Sequence, residues 1–124
     1  MAEIETSIDS QLDLTVHIVF GDLSTQDILD KLEIYYQGKI TKRILWDLSN
    51  ATWANITSDD LRRTVDKATK YSRKGGKTAW VFSKDVDFGI GRMLGTLGEI
   101  EGYDYVFESF RDKKEAMKWL DTYE

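Results

Sequence analysis

The chain has 124 residues, 17 basic against 22 acidic side chains for a net charge of −5, and neither cysteine nor proline. That is the size of one domain, able to bury roughly two-thirds of the surface its unfolded form exposes. Without cysteine, disulfides, thiolate nucleophiles, Cys-ligated zinc and iron–sulfur clusters are excluded. The negative balance opposes phosphate backbones and anionic lipid, so no nucleic-acid partner is expected. Met1 to Thr6 is acidic and polar where a signal peptide would be basic and then apolar, and no apolar run reaches membrane-span length, which predicts a cytoplasmic protein with no integral membrane association.

In chain order, a short strand near 4–8 is expected to form a hairpin with the next segment. There Leu12, Leu14, Val16, Ile18 and Phe20 alternate with Asp13, Thr15, His17 and Val19, the period of a strand with one buried face. This reading turns His17 outward as a solvated or hydrogen-bonded surface side chain. Ser24 then caps a helix with Ile28, Leu32 and Tyr35 at helical spacing, ending at Gly38. Residues 44–48 and 79–82 are near-continuous apolar runs, the pattern of adjacent, parallel, central strands. Between them Thr57 starts a helix whose Asp59 and Asp60 suit its positive end and whose Leu61, Val65 and Ala68 form a buried stripe. Lys70, Arg73 and Lys74 suit its other end, and Gly75-Gly76 stops it. A third helix is expected over 86–101, a last strand over 103–110, and a final helix starting at Asp112 with Ala116, Trp119, Leu120 and Tyr123 on one side. The order ββαβαβαβα predicts an α/β fold: a mixed, mostly parallel sheet opened by an antiparallel hairpin.

Several motifs reduce to ordinary structure. Gly75-Gly76-Lys77-Thr78 lacks the glycine of a phosphate loop at Tyr71 and precedes a strand instead of a helix. Gly89-Ile90-Gly91-Arg92-Met93-Leu94-Gly95 resembles a dinucleotide fingerprint but sits in the wrong βα unit, and Glu108, the acid about 20 residues on, is explained as an outward residue of an ordinary strand. His17 is the single histidine and has no triad motif around it. Asp59-Asp60 have no third ligand at metal spacing, and the basic group Lys67, Lys70, Arg73, Lys74 and Lys77 is explained as a helix end. No cofactor, metal or catalytic residue is therefore expected.

Asp47-Leu48-Ser49-Asn50-Ala51-Thr52-Trp53, closing an apolar strand ahead of a helix, resembles the STAS family of anti-sigma-factor-antagonist-like proteins. Trp46-Asp47, Phe88-Gly89-Ile90-Gly91-Arg92-Met93, Phe110-Arg111-Asp112, Glu115-Ala116 and Trp119-Leu120 extend the resemblance over nearly the whole chain, to the SpoIIAA-like branch. The resemblance implies the same ββαβαβαβα order. In phosphorylated members an aromatic and an apolar residue precede Asp-Ser-Ser/Thr-Gly at the helix start, and a partner kinase modifies the serine. Here Trp53 leads into Ala54-Asn55-Ile56-Thr57-Ser58-Asp59; without gaps, Asn55 falls on the aspartate and Ile56 on the serine. The sequence thus departs from the pattern at its functional residue. Thr57 and Ser58 are phosphorylation candidates only with a loop longer by a residue or two, and Thr57 is equally accounted for as a helix cap.

These features point to a non-enzymatic regulatory or binding module for a protein partner or small apolar ligand; the alternative is a lipid or apolar-ligand carrier. An enzyme built on Asp47 and Arg92 has only location behind it. Ligands of open α/β sheets lie beyond the carboxyl ends of the strands, which selects Asp47, Ser49, Asn50, Ser83, Lys84 and Asp85, with Phe88 and Arg92 close by. In the helix expected over 86–101, Val86, Ile90, Met93, Leu97 and Ile100 face the sheet. Opposite them, Gly91, Gly95 and Gly98 form a close-contact face for a ligand or for a homodimer.

Overall fold

The computed structural model describes residues 2–38, 40–53, 57–68, 76–82 and 106–121. Its elements are β1 (Glu3–Asp9), β2 (Leu14–Leu23), α1 (Thr25–Gln37), β3 (Arg43–Trp53), α2 (Ser58–Ala68), β4 (Lys77–Val81), β5 (Val106–Phe110) and α3 (Lys113–Leu120). The expected helix over 86–101, with Ser83, Lys84, Asp85, Phe88, Arg92, Gly91, Gly95 and Gly98, lies outside the described residues.

The strands form one sheet in the order β1-β2-β3-β4-β5. β1 and β2 are antiparallel and every later pair is parallel, as the strand and helix alternation predicts. The hairpin loop closes on Asp9, whose Oδ1 accepts from the backbone N–H of Gln11 at 3.0 Å and of Leu12 at 3.2 Å. Asp13 completes it at φ 52°, a conformation that Asp tolerates better than most residues. β3 and β4 are adjacent and interior, as their apolar runs require.

Two apolar layers flank the sheet. On one face Ile28, Leu32 and Tyr35 of α1 and Leu61 and Val65 of α2 pack on Val19, Ile44, Trp46, Leu48, Trp80 and Phe82. Trp80 stacks on Trp46 at 5.2 Å between ring centroids and on Trp53 at 5.8 Å; truncating a buried aromatic of this kind costs about 3–5 kcal/mol. On the other face Ala116 and Leu120 of α3 cover Leu14, Leu45, Ala79 and Val81. The caps follow the sequence. Ser24 Oγ accepts from Asp27 N–H, and the Asp27 carboxylate accepts from Ser24 N–H, both at 3.1 Å. Asp112 Oδ1 accepts from Lys114 N–H at 2.7 Å, opening α3.

Two expectations are corrected. The strand expected over 44–48 continues to Trp53, because its register with β2 shifts between the Ile18–Asp47 and Phe20–Asn50 pairs. This bulge resets the alternation. Ile44, Trp46 and Leu48 face α1 and α2, and so do Ala51 and Trp53 beyond the bulge, at odd positions. The second correction concerns β2, which is covered on both faces. Thr15, His17 and Val19 are fully buried, whereas Phe20, assigned to the core side, is exposed. β2 is an interior strand between β1 and β3, so α1, which connects it to β3, must lie over the face read as outward.

Candidate functional site

Three places combine polar chemistry with shape. The first is the carboxyl end of β3, where Asp47, Ser49 and Asn50 were expected to form a site. Asp47 is buried, Ser49 half-buried and Asn50 exposed. Asp47 Oδ1 accepts from Ser49 N–H at 3.0 Å and from Ser49 Oγ at 2.6 Å. The carboxylate therefore fastens the bulge from within, a local side-chain to backbone bond of the Asx kind. Nearby, Thr57 Oγ1 accepts from Asp60 N–H and the Asp60 carboxylate accepts from Thr57 N–H, each at 3.1 Å. Thr57 is thus the cap that its position predicts, on an exposed corner.

The second place is a groove of about 480 Å³ between α1 and α2, lined by Gln26, Leu29, Asp30 and Glu33 on one side and Arg63, Asp66 and Lys67 on the other. Lys67 and Glu33 form an ion pair across it, and Arg63 lies 3.7 Å from Asp60 one turn back. Lys67, read from sequence as part of a solvated basic end, instead ties the two helices together. Lys77 is drawn the other way, donating to the Trp119 carbonyl at 3.2 Å with its ammonium 5.0 Å from the centre of the Trp119 ring.

The third place was not anticipated. Between the C-terminal half of α1 and the β1–β2 hairpin lies a half-open cavity of about 170 Å³, walled by Thr6 and Ile8, Thr15 and His17, and Lys31, Ile34, Tyr35 and Gly38. His17 is 1% exposed. Its Nδ1 shares a 2.9 Å hydrogen bond with Thr6 Oγ1, and its ring lies 4.3 Å from that of Trp46. Nε2 is buried with no hydrogen-bond partner among the described residues, a situation that costs about 1–3 kcal/mol when nothing compensates. Burial first, and the Lys31 charge second, push the imidazole down from 6.5 to about 3, so the ring is neutral. Tyr35 closes one end: its hydroxyl donates to the Thr41 carbonyl at 2.8 Å and accepts from Thr41 N–H at 2.9 Å, while Thr41 and Thr15 share a 2.8 Å bond between hydroxyls. The outward placement of His17 is therefore wrong. A signal was available, since a hairpin strand that also begins a parallel βαβ unit is covered on both faces.

Among the described residues, no three His, Asp or Glu side chains gather as metal ligands, and no helix is long and apolar enough to cross a membrane.

No protein-family model matches the sequence, and neither does any curated protein. Solved structures do match. An uncharacterized protein of the DUF3478 family from Shewanella loihica PV-4, described as having a SpoIIAA-like fold, superimposes with a TM-score of 0.56 at 18% identity over 96% of this chain and 93% of that one. The anti-sigma factor antagonist SpoIIAA in its unphosphorylated form superimposes with a TM-score of 0.57 at 12% identity over 98% of this chain and all of that one. The chain has a SpoIIAA-like fold. Within that SpoIIAA-like frame the segment carrying the resemblance, Asp47 to Trp53, is the bulged second half of β3 that leads towards α2.

Proposed function

We propose that this SpoIIAA-like domain is a non-enzymatic regulatory module that recognises a protein partner through the face built by α1 and α2. The groove between those helices carries the reading. Leu29 lies among three acidic and two basic side chains, and this mixed pattern suits another protein surface better than a polyanion. The fold is shared with a protein named for antagonising an anti-sigma factor, which supports the same class of action. The comparisons give the lipid-carrier alternative no support. Thr57, exposed and capping α2, belongs to the proposed contact, whereas Asn50 alternates with Ala51 and Trp53, which face α1 and α2, and is assigned no contact. Phosphorylation of Thr57 would displace its bond to Asp60 N–H, so modification there is proposed as a switch that trades the α2 cap for a phosphate. Ser58, the first residue of α2, is the alternative acceptor. Asp47 and Ser49 shape the corner from inside and are assigned no contact.

The test is affinity capture from the native lysate with the wild type and with Asp30→Lys/Asp66→Lys, both exposed positions. Charge reversal is expected to reduce capture of the partner by about tenfold or more with Tm unchanged. A captured set that does not respond to the substitutions overturns this docking face.

A further inference from the structure

We propose that the cavity between α1 and the β1–β2 hairpin binds a small organic monocarboxylate with an apolar body, of the class of an aromatic acid anion, whose charge is met by Lys31. The cavity is separate from the docking face. It uses a different stripe of α1, residues 31, 34, 35 and 38 against 26, 29, 30 and 33 for the groove.

The polar groups along the wall decide the charge. Thr15 is engaged with Thr41, the Tyr35 hydroxyl with the Thr41 backbone, and Thr6 with His17 Nδ1. Lys31 is left. Its helical neighbour Asp27, one turn back, is committed to the cap of α1, where it accepts from Ser24 N–H. Among the described residues Lys31 enters no ion pair. With His17 neutral, the half-buried Lys31 carries the one formal charge among the lining residues. An ammonium against a largely apolar wall is screened less than one in open water and attracts an anion more strongly.

Size and lining set the rest of the ligand. A cavity of about 170 Å³ takes a benzene-sized body and is too small for a lipid chain. Ile8, Ile34 and the ring of Tyr35 supply apolar wall. Ile8 and Ile34 are 47% and 61% exposed, apolar side chains that such a body would cover. The helix fixes its direction. Gly38 ends α1 at the cavity, about 10 Å along the axis from Lys31, and the carbonyl end of a helix acts against an anion. The carboxylate therefore belongs at the Lys31 end, and the apolar body points towards Tyr35 and Gly38.

The test titrates the whole chain at pH 7 and low salt with benzoate, its uncharged analogue benzyl alcohol, benzylammonium and acetate, reading the amide resonances of Thr6, Ile8, Ile34 and Gly38. Benzoate is expected to shift them to saturation and to bind about tenfold more tightly than benzyl alcohol, the worth of one partly exposed hydrogen bond to a charged group. Acetate, which lacks the apolar body, and benzylammonium are expected to bind more weakly than benzoate. Lys31→Met keeps the apolar stem without the charge and should bring benzoate to the level of benzyl alcohol, whereas Ile34→Trp should weaken both. If either variant does not fold, the ranking of the four probes on the wild type carries the test. The proposal is overturned if benzoate gives no saturable shift at these amides, if any of the other three probes binds as tightly, if Lys31→Met leaves benzoate binding unchanged, or if Ile34→Trp has no effect.

Discussion

Taking the His17 imidazole out of water means that the folded chain refuses a proton which the unfolded chain accepts. Its folded value near 3 lies below the ordinary 6.5, so the unfolded state binds more protons between those two values. The contribution is fully present above about pH 6.5 and is lost as pH falls towards 3. From about pH 7 to about pH 4.5 the wild type is expected to lose about 2–3 kcal/mol more than His17→Phe, whose ring cannot titrate. Urea unfolding of both proteins at the two pH values checks this. Parallel losses would mean that the imidazole is solvated in the folded protein.

At the scale of the element, the second half of β3 depends on one carboxylate. Asp47 Oδ1 accepts both the N–H and the hydroxyl of Ser49 at the point where the register with β2 shifts. Asp47→Ala removes that acceptor from a half-buried turn and is expected to cost about 1–3 kcal/mol. Asp47→Asn keeps an acceptor oxygen and is expected to recover most of the loss. Equal destabilisation by both would show that charge, and not the acceptor, holds the bulge. The consequence reaches Ala51 and Trp53, which the bulge turns towards α1 and α2, and through Trp53 the Trp80 stack.

Across the whole molecule, protection should follow the layers. β3 and β4 have strand neighbours on both sides and helices on both faces. β1 bonds to β2 alone and exposes six of its seven residues. Native-state hydrogen exchange is therefore expected to be slowest in β3 and β4, limited by global unfolding, and at least about tenfold faster in β1. β1 amides protected as strongly as those of β3 would place β1 in the cooperative core. The outward positions Glu3, Glu5 and Asp9 also set like charges along this edge, which opposes pairing with a second copy.

Local chemistry determined much of this protein from its sequence: the capped helices, the hairpin, and the parallel central strands around Trp46 and Trp80, because periodicity and caps act within a few residues. The SpoIIAA-like fold was legible for the same reason, as a particular order of such elements. What only the tertiary structure decided was which face of β2 is deeper, how far β3 runs, and where polar side chains meet. His17 alternates with apolar neighbours as a surface residue does, and only the crossover through α1, with Thr6, Thr41 and Tyr35 arriving from distant positions, shows that it is buried. Asp47 was picked out by location, but whether its carboxylate faces a ligand or its own backbone depends on a register shift with β2 that no periodicity in β3 announces. Burial on a strand is set by what lies across the sheet, and that partner is chosen by topology and not by the strand's own residues.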